Sequence, residues 1–355
     1  MDIPNYTRNC IALLVIFCIY STISGKAIEQ KPKIPLRPVT VKNVAFSPTG
    51  KFFAIPNSIT TGSVGVFSVS PDGKIVTVPS RFSEKDFYRS RGVFYFARAK
   101  DSLTDLVFIP LQEYSAGYTV EFKKQGDTLA ICGSDKILIY SSDKWSLLST
   151  INLKSVSRVV FSSDNQKMAA IADGKIFVFK TSDYSDIYNI DPEAGCRFAD
   201  VCFSGDGKTL AAFEYKNVVL DHASRIRIFQ SDNGNEDRQL PWFSEKISSV
   251  PGNHFPLVSY LPHDTAIAVT LEKPIMGKVA VIKSSDGAVI KEFKGNCHAV
   301  STKNSMFAAG GAVYDMSWNN IGSISKSALC MAFDQMSSQL IVVNSDSVQR
   351  FNVGQ

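Results

Sequence analysis

The chain has 355 residues, of which 45% are apolar, 11% aromatic and 20% charged, so it has ample material for one large hydrophobic core or two average ones. This composition excludes a disulfide-stapled miniprotein, a disordered chain and a polytopic membrane protein. The net charge of +5 comes from 38 basic and 33 acidic residues spread without blocks, so the sequence carries no nucleic-acid-binding footprint.

The first predicted element is a targeting segment. Residues 10–20 form an unbroken apolar run, which small and polar residues follow as far as Ala27. As a helix this run spans about 16 Å, well short of the roughly 30 Å hydrocarbon core of a bilayer. A short apolar run followed by small residues is typical of a secretory signal peptide. We therefore predict a signal peptide over residues 1–27, cleaved after Ser24, Gly25 or Ala27, and a mature protein that is secreted or lumenal, or periplasmic in a bacterium.

An uncleaved signal anchor is the alternative interpretation of the same segment. Basic residues after the apolar run outnumber those before it, which favours a C-terminal flank in the cytoplasm. Two further observations favour the anchor: no Asn-x-Ser/Thr glycosylation acceptor occurs after Ala27, and an odd number of cysteines remains there. In that case the protein is a membrane-tethered trafficking factor with a cytoplasmic domain.

A repeated pair of sequence elements fills the rest of the chain. The first element reads apolar-x-Phe-Ser, a polar turn and small apolar residues, as in Val201 to Ala212. The second element, as in Ile137 to Asp143, alternates β-branched and aromatic residues. Such alternation predicts short strands with one buried face, and turns such as Asp206-Gly207 predict tight hairpins between them. Because no stretch after residue 30 sustains a helical period, the predicted fold class is all-β.

The spacing of the repeat predicts the architecture. The aromatic or apolar position of the first element recurs roughly every 40 residues, which is typical of a four-stranded β-propeller blade. These positions are Phe46, Phe82, Phe122, Phe161, Phe203, Tyr260, Val300 and Phe333, with weak matches at 82 and 300. They leave seven and eight blades open. The longer interval before Tyr260 predicts a surface insertion over residues 233–254.

Two kinds of motif carry a family resemblance. The turns Phe-Ser-Pro-x-Gly-Lys at residues 46–51 and Ser-Pro-Asp-Gly-Lys at residues 70–74 occur beside strands that read Ile-x-Ile-Tyr and Ile-x-Val-Phe. Through them the chain resembles the WD40 and YVTN-like β-propellers over residues 39–353, although the Trp-Asp dipeptide and the Gly-His pair of that family are missing. The resemblance implies one propeller over residues 33–355, in which residues 33–41 supply the last strand.

The sequence carries no recognisable catalytic, cofactor or metal motif. His222, His254, His263 and His298 occur at no metal-ligand spacing, and zinc, phosphate-loop and nucleophile-elbow patterns are absent. The acidic segment 232–237 lacks the pattern of a calcium loop and is interpreted as an exposed turn. We therefore predict no catalytic residue, no cofactor and no bound metal.

Two cysteines form a candidate covalent site. Cys297 and Cys330 occupy equivalent positions at the start of the last two repeat units, so they are expected to approach each other on neighbouring blades. We predict a disulfide between them if the compartment is oxidising.

Aromatic and arginine residues form a candidate interface. Phe87, Tyr88, Arg89 and Arg91 have the composition of an interface core, and Trp242 lies in the predicted insertion. Burial of the aromatic residues inside a divergent second blade remains open as the other interpretation.

Together these observations predict a non-catalytic platform that binds another protein through the loops on one face. We expect a monomer that binds no nucleic acid and contacts a membrane only if the N-terminal segment is uncleaved. The alternative from a different class is a propeller-fold hydrolase or lyase with its site in the central channel. A ring of inward-facing Asp, Glu or His side chains at the channel mouth would indicate the enzyme.

Overall fold

All described secondary structure in the computed structural model is β-strand, which confirms the predicted all-β fold class. The structure describes residues 119–123, 127–133, 135–141, 146–216, 223–243, 256–271, 277–326, 328, 330–334, 339–344 and 347–353, and the separate strands at 29–30, 34–35, 45–46, 52–55, 63–68, 92–96 and 106–110. The predicted signal peptide over residues 1–27 lies outside them.

The N-terminal part of the chain contributes two short strands and the first sheet. The short strands are β1 (Glu29–Gln30) and β2 (Ile34–Pro35). Sheet 1 contains β3 (Ala45–Phe46), β4 (Phe52–Ile55), β5 (Ser63–Ser68), β6 (Gly92–Phe96) and β7 (Leu106–Pro110). All its pairs are antiparallel except β5 with β6, which is parallel.

Five sheets of four antiparallel strands follow, each with its strands side by side in chain order. Sheet 2 contains β8 (Thr119–Phe122), β9 (Thr128–Cys132), β10 (Lys136–Ser141) and β11 (Leu147–Asn152). Sheet 3 contains β12 (Val156–Phe161), β13 (Lys167–Ala172), β14 (Lys175–Lys180) and β15 (Asp186–Ile190). Sheet 4 contains β16 (Cys196–Phe203), β17 (Thr209–Lys216), β18 (Ser224–Gln230) and β19 (Glu236–Gln239).

The remaining sheets repeat this pattern. Sheet 5 contains β20 (Val258–Tyr260), β21 (Ala266–Leu271), β22 (Lys278–Lys283) and β23 (Val289–Lys294). Sheet 6 contains β24 (His298–Ser301), β25 (Met306–Ala309), β26 (Ala312–Asp315) and β27 (Asn320–Ser323). Sheet 7 contains β28 (Cys330–Asp334), β29 (Gln339–Val343) and β30 (Ser347–Asn352).

The N-terminal strands complete sheet 7. Glu29 of β1 pairs with Asn352 of β30, and Ile34 of β2 pairs with Val348 farther along the same strand. Sheet 7 therefore also has four strand positions, the outermost filled by β1 and β2. The prediction that an N-terminal segment with proline supplies this strand is confirmed for Ile34–Pro35, since proline is tolerated at a sheet edge.

The repeat positions identify the first strand of each sheet. Phe46, Phe122, Phe161, Phe203, Tyr260, Val300 and Phe333 all lie in first strands. The eighth predicted position, Phe82, lies outside the described residues, and the strands on either side of it, β5 and β6, both belong to sheet 1. The described strands thus form seven sheets.

The core lies between consecutive sheets. Five apolar clusters fill the spaces from sheet 2 to sheet 7, and each cluster draws side chains from two neighbouring sheets. Phe213 and Ile226 of sheet 4, for example, pack with Leu257 and Ile267, which come before and within sheet 5. Sheets 3 to 6 are therefore covered on both faces, and removing such apolar surface from water stabilises them by roughly 25 cal/mol per Å².

First strands of consecutive sheets lie beside one another. β8 contacts β12, β12 contacts β16, β16 contacts β20, β20 contacts β24, and β24 contacts β28. β3, the first strand of sheet 1, lies beside β8 of sheet 2 and also beside β28 of sheet 7.

The predicted insertion over residues 233–254 is wrong in its first part. Asn233 and Gly234 form the turn between β18 and β19, and Gly234 adopts a positive φ of 73° close against the ring of Tyr188. The sequence there is polar because β19 is an exposed outer strand. The additional length begins after Gln239, in the connection to β20, of which residues 244–255 lie outside the described residues.

Candidate interaction surface

Sheet 4 contains a buried carboxylate between two arginines. Glu214 on β17 lies directly opposite Arg225 on β18, and Arg227 follows two residues later on the same face. The Nε of Arg225 donates to Oε2 of Glu214 at 2.7 Å, and Nη1 of Arg227 donates to Oε1 at 2.8 Å. Oε1 also accepts the backbone N–H of Glu193 at 2.8 Å. The carboxylate is fully buried, and both its oxygens have charged donors, which offset its loss of hydration.

The two guanidinium groups extend this cluster to its surroundings. Arg225 also donates to Oε1 of Gln239 at 2.8 Å and to the Glu193 carboxylate, and Arg227 donates to Glu236 at 2.6 Å. Burial by itself would lower the pKa of Arg227, but the hydrogen bonds to Glu236 and Glu214 outweigh it, so the pKa is raised. The contacts fix the connection from sheet 3 to sheet 4 and the outer strand β19.

Trp242 lies on this cluster, just after β19. The Cζ of Arg225 lies 4.3 Å from the centroid of a Trp242 ring, and Nζ of Lys216 lies 4.8 Å from it, which are distances of cation–π contacts. The backbone on both sides of Trp242 is anchored to β18, because Leu240 N donates to Ile226 O at 2.9 Å and Phe243 N donates to Ser224 O at 2.8 Å. We call Lys216, Arg225 and Trp242 the Trp242 platform.

The platform combines a fixed aromatic ring with partial exposure. Trp242 is half-buried, Lys216 is exposed and Arg225 is buried beneath them. The hydrogen bonds of Arg225 to Glu214, Gln239 and Glu193 leave its guanidinium little freedom, so the ring that stacks on it is held in one orientation.

A metal ion does not fit beside this platform. Glu193, Cys196 and Glu214 offer ligand atoms within 4.8 Å of one another, as a metal site would require. However, Arg225 already binds both carboxylates and supplies the positive charge. Burial and the two glutamates raise the pKa of Cys196, so the thiolate that a metal needs is disfavoured.

A second polar cluster crosses four neighbouring first-strand regions. Arg158 on β12 donates through Nε to Oδ1 of Asp200 on β16 at 3.0 Å and through Nη1 to Glu121 on β8 at 3.2 Å. Oδ2 of Asp200 accepts the backbone N–H groups of Leu257 at 2.6 Å and Val258 at 3.1 Å.

Asp200 is a structural carboxylate rather than an available acid or base. Burial holds the pKa of Asp200 above its usual value, although Arg158 and the N–H groups of Val201, Leu257 and Val258 oppose that shift. All these partners donate hydrogen bonds, so they stabilise the carboxylate form. Asp200 is fully buried, and both its carboxylate oxygens accept hydrogen bonds from other groups of the protein.

His298 joins sheets 5 and 6 in a similar way. Its Nδ1 lies 2.7 Å from Thr270 Oγ1, its Nε2 lies 3.0 Å from Ser259 Oγ, and its ring stacks on Phe307. Burial lowers the pKa of His298 to about 3, so the imidazole is neutral at ordinary pH. Both nitrogens are engaged by hydroxyl groups, which leaves neither of them for a substrate or metal.

The residues predicted from the sequence fall into three groups. Phe87, Tyr88, Arg89 and Arg91 lie outside the described residues, so their interface role stays a prediction. Trp242 lies within the described residues and contacts Arg225 and Lys216, as described above. Cys297 and Cys330 are both buried thiols in this structure, and their disulfide stays a prediction.

The acidic segment 232–237 is an exposed turn that leads into β19, and its carboxylates are ion-paired. Asp232 lies 2.6 Å from Nζ of Lys167, and Asp237 pairs with its neighbour Arg238. Glu236 binds Arg227, as described above. These cations neutralise the carboxylates that a calcium ion would require.

Sequence reasoning missed Glu214, Arg225, Arg227, Asp200 and His298. A signal was present for the first three, because charged residues alternate with apolar ones in two predicted neighbouring strands. Partners for Asp200 and His298 come from other sheets, so no local pattern identifies them.

Comparison with known proteins identifies no relative, since no protein-family model matches the chain and no curated protein is significantly similar to it. Within the described residues, no helix has the length and apolar character needed to cross a bilayer.

Proposed function

We propose that the chain is a closed seven-bladed β-propeller of the WD40/YVTN-like kind, and that it acts as a non-catalytic platform for binding another protein. Three observations support the ring. The sheets repeat every 40 residues or so, their first strands follow one another, and β3 of the first sheet lies beside β28 of the last. Completion of sheet 7 by β1 and β2 joins the two ends of the chain, which supports closure.

The observation that carries the binding function is the Trp242 platform. Tryptophan and arginine dominate the energetics of protein interfaces, and a residue held in place before binding loses little conformational entropy on association. Trp242 has both properties, because the guanidinium of Arg225 fixes its ring while part of the ring stays exposed. It also lies in the connection between β19 and β20, and connections between strands commonly carry binding sites.

Two buried groups support binding over the channel hydrolase or lyase. Asp200 and His298 carry groups of the kind that acid–base catalysis uses, and both are fully buried and bonded by protein groups. A general acid or base must reach its substrate. The hydrogen bonds of Asp200 and His298 are better explained as links between neighbouring sheets.

The binding proposal is tested by comparing two surface variants as affinity baits. Trp242→Ala removes the platform ring, whereas Leu148→Ala removes an exposed apolar side chain on the outer strand of sheet 2. We expect a cross-linked partner captured by the unaltered protein and by Leu148→Ala, with at least tenfold less recovered by Trp242→Ala. Equal recovery with all three baits would contradict a role for the platform.

Localisation is proposed from the N-terminal segment. We propose a secreted or lumenal protein, with the membrane-anchored form as the alternative, and β1 at Glu29 begins shortly after the predicted cleavage sites. Sequencing the N-terminus of the mature protein tests this, because a start between Gly25 and Ile28 supports cleavage and a retained Met1 supports the anchor.

A further inference from the structure

Cys297 and Cys330 lie at the junction of sheets 6 and 7. Cys297 directly precedes β24, and Cys330 is the first residue of β28. These two strands are neighbours, with Cα atoms within 8 Å of each other. Both thiols are buried, with 4% and 0% of their surface exposed.

Their contacts bring the two thiols close together. The Sγ of Cys297 donates a hydrogen bond to the carbonyl oxygen of Ala328 at 3.3 Å, only two residues before Cys330. Burial raises the pKa of Cys330 well above its ordinary value, and the nearby Cys297 raises it further. A disulfide needs Cα atoms about 4.4–6.8 Å apart, which is the range of neighbouring strands.

The other cysteines of the described residues offer no competing pair. Cys196 and Cys202 lie on the same extended strand, six residues apart, which corresponds to roughly 20 Å between their Cα atoms. Cys132 lies in sheet 2, on the far side of sheet 3 from β16.

We propose that Cys297 and Cys330 form a disulfide while the chain folds in the presence of a small-molecule disulfide, and that packing of sheets 6 and 7 then fixes whichever redox state was reached. The thiolate of one cysteine attacks a sulfur of glutathione disulfide, and one glutathione thiolate leaves. The second cysteine thiolate attacks the protein sulfur of this mixed disulfide and releases the second glutathione thiolate. The two protein protons pass through solvent to the two glutathione thiolates, so the cysteine pair is oxidised and glutathione disulfide is reduced.

Burial explains why the redox state is set during folding. The interior junction has no exposed thiol on which a glutathione adduct could form, and a buried, protonated thiol is a poor nucleophile. The same burial excludes reductant from the finished disulfide. The bond would connect two consecutive sheets at the place where the series of sheets ends.

The experiment compares oxidation during folding with oxidation afterwards. The full chain is unfolded, reduced and refolded with reduced and oxidised glutathione, and a second sample is refolded reduced and then exposed to the same mixture. Thiol titration and peptide mass mapping identify the linked cysteines. We expect the first sample to lose two thiols and to yield a Cys297–Cys330 peptide, and the second to yield none.

Matched variants separate pairing from general oxidation. Cys132→Ser replaces another buried thiol and should keep the linked peptide, whereas Cys297→Ser and Cys330→Ser should each lose it. If one of these two variants does not fold, the other gives the same readout. Unlinked thiols in the refolded sample, a different pairing, or oxidation of the already folded protein would each overturn the proposal.

Discussion

Glu214 illustrates how single residues stabilise this protein. Its carboxylate has no exposed surface and accepts hydrogen bonds from two guanidinium groups and a backbone N–H. These hydrogen bonds, rather than the hydropathy of the side chain, explain why it is buried. Removing one partner of a buried ion pair leaves the others buried without compensation, which commonly costs about 3–5 kcal/mol.

We predict that Glu214→Gln lowers the free energy of unfolding by about 3 kcal/mol. The neutral amide leaves the buried Arg225 and Arg227 without their shared countercharge. The matched control is Glu292→Gln, which breaks the surface pair with Lys278 and should cost less than about 1 kcal/mol. Urea unfolding measures both values, and equal losses in the two variants would contradict the buried cluster.

A second prediction concerns the pH dependence of stability at His298. The folded pKa is about 3 and the unfolded value about 6.5, so the unfolded chain takes up the proton first on acidification. The stabilising contribution is therefore complete above pH 6.5 and is lost as the pH falls from there toward 3, by about 1.4 kcal/mol per unit.

Replacement of the imidazole should remove this loss. Between pH 7.5 and pH 5, the unaltered protein should lose about 2 kcal/mol more unfolding free energy than His298→Gln does. His263→Asn, at an exposed turn position, serves as the control and should behave like the unaltered protein. The same slope in His298→Gln and the unaltered protein would show that the buried imidazole is not the cause.

Elements show which parts of the fold are predictable from sequence. Strands with alternating apolar residues and a following Asp-Gly turn, such as β16, were predicted because their pattern is local. The four-residue strand β26 was missed, since it is too short for alternation to be visible. The membership of β6 in sheet 1 depends on a parallel pairing with β5, and no local sequence pattern specifies a partner.

The candidate site was predictable to a smaller extent. Trp242 is predictable as a candidate because it lies in the predicted insertion over residues 233–254. Its support by Arg225 depends on the register between β17 and β18, which only the folded chain defines. Charged residues buried in pairs resemble a solvated strand face in sequence, and this explains why Glu214 and Arg225 were missed.

At the element scale, the N-terminal strands should contribute measurably to stability. A chain that begins at Arg37 lacks β1 and β2 and leaves the edge of β30 unpaired, whereas a chain that begins at Ile28 retains both strands. We expect the shorter chain to be less stable by about 2 kcal/mol, since each lost backbone hydrogen bond costs about 1 kcal/mol net. Denaturant unfolding of both chains measures this, and equal midpoints would contradict the pairing.

At the scale of the whole molecule, the seven sheets, of which sheets 2 to 7 have apolar clusters between neighbours, could form either of two arrangements. A closed ring covers both faces of every sheet, whereas an open series leaves one face of the first and last sheets in water. Large exposed apolar faces are rare on soluble proteins, so the ring is the arrangement that burial favours.

The distance between the first and last sheets tests this claim most directly. Spin labels are placed at Ala45 on β3 and Ala332 on β28, and pulsed electron paramagnetic resonance measures their separation. A closed ring predicts neighbouring sheets about 10 Å apart and hence a short label distance, below roughly 25 Å. An open series of seven sheets would separate the labels by roughly 60 Å, and a distance in that range would contradict the closed propeller.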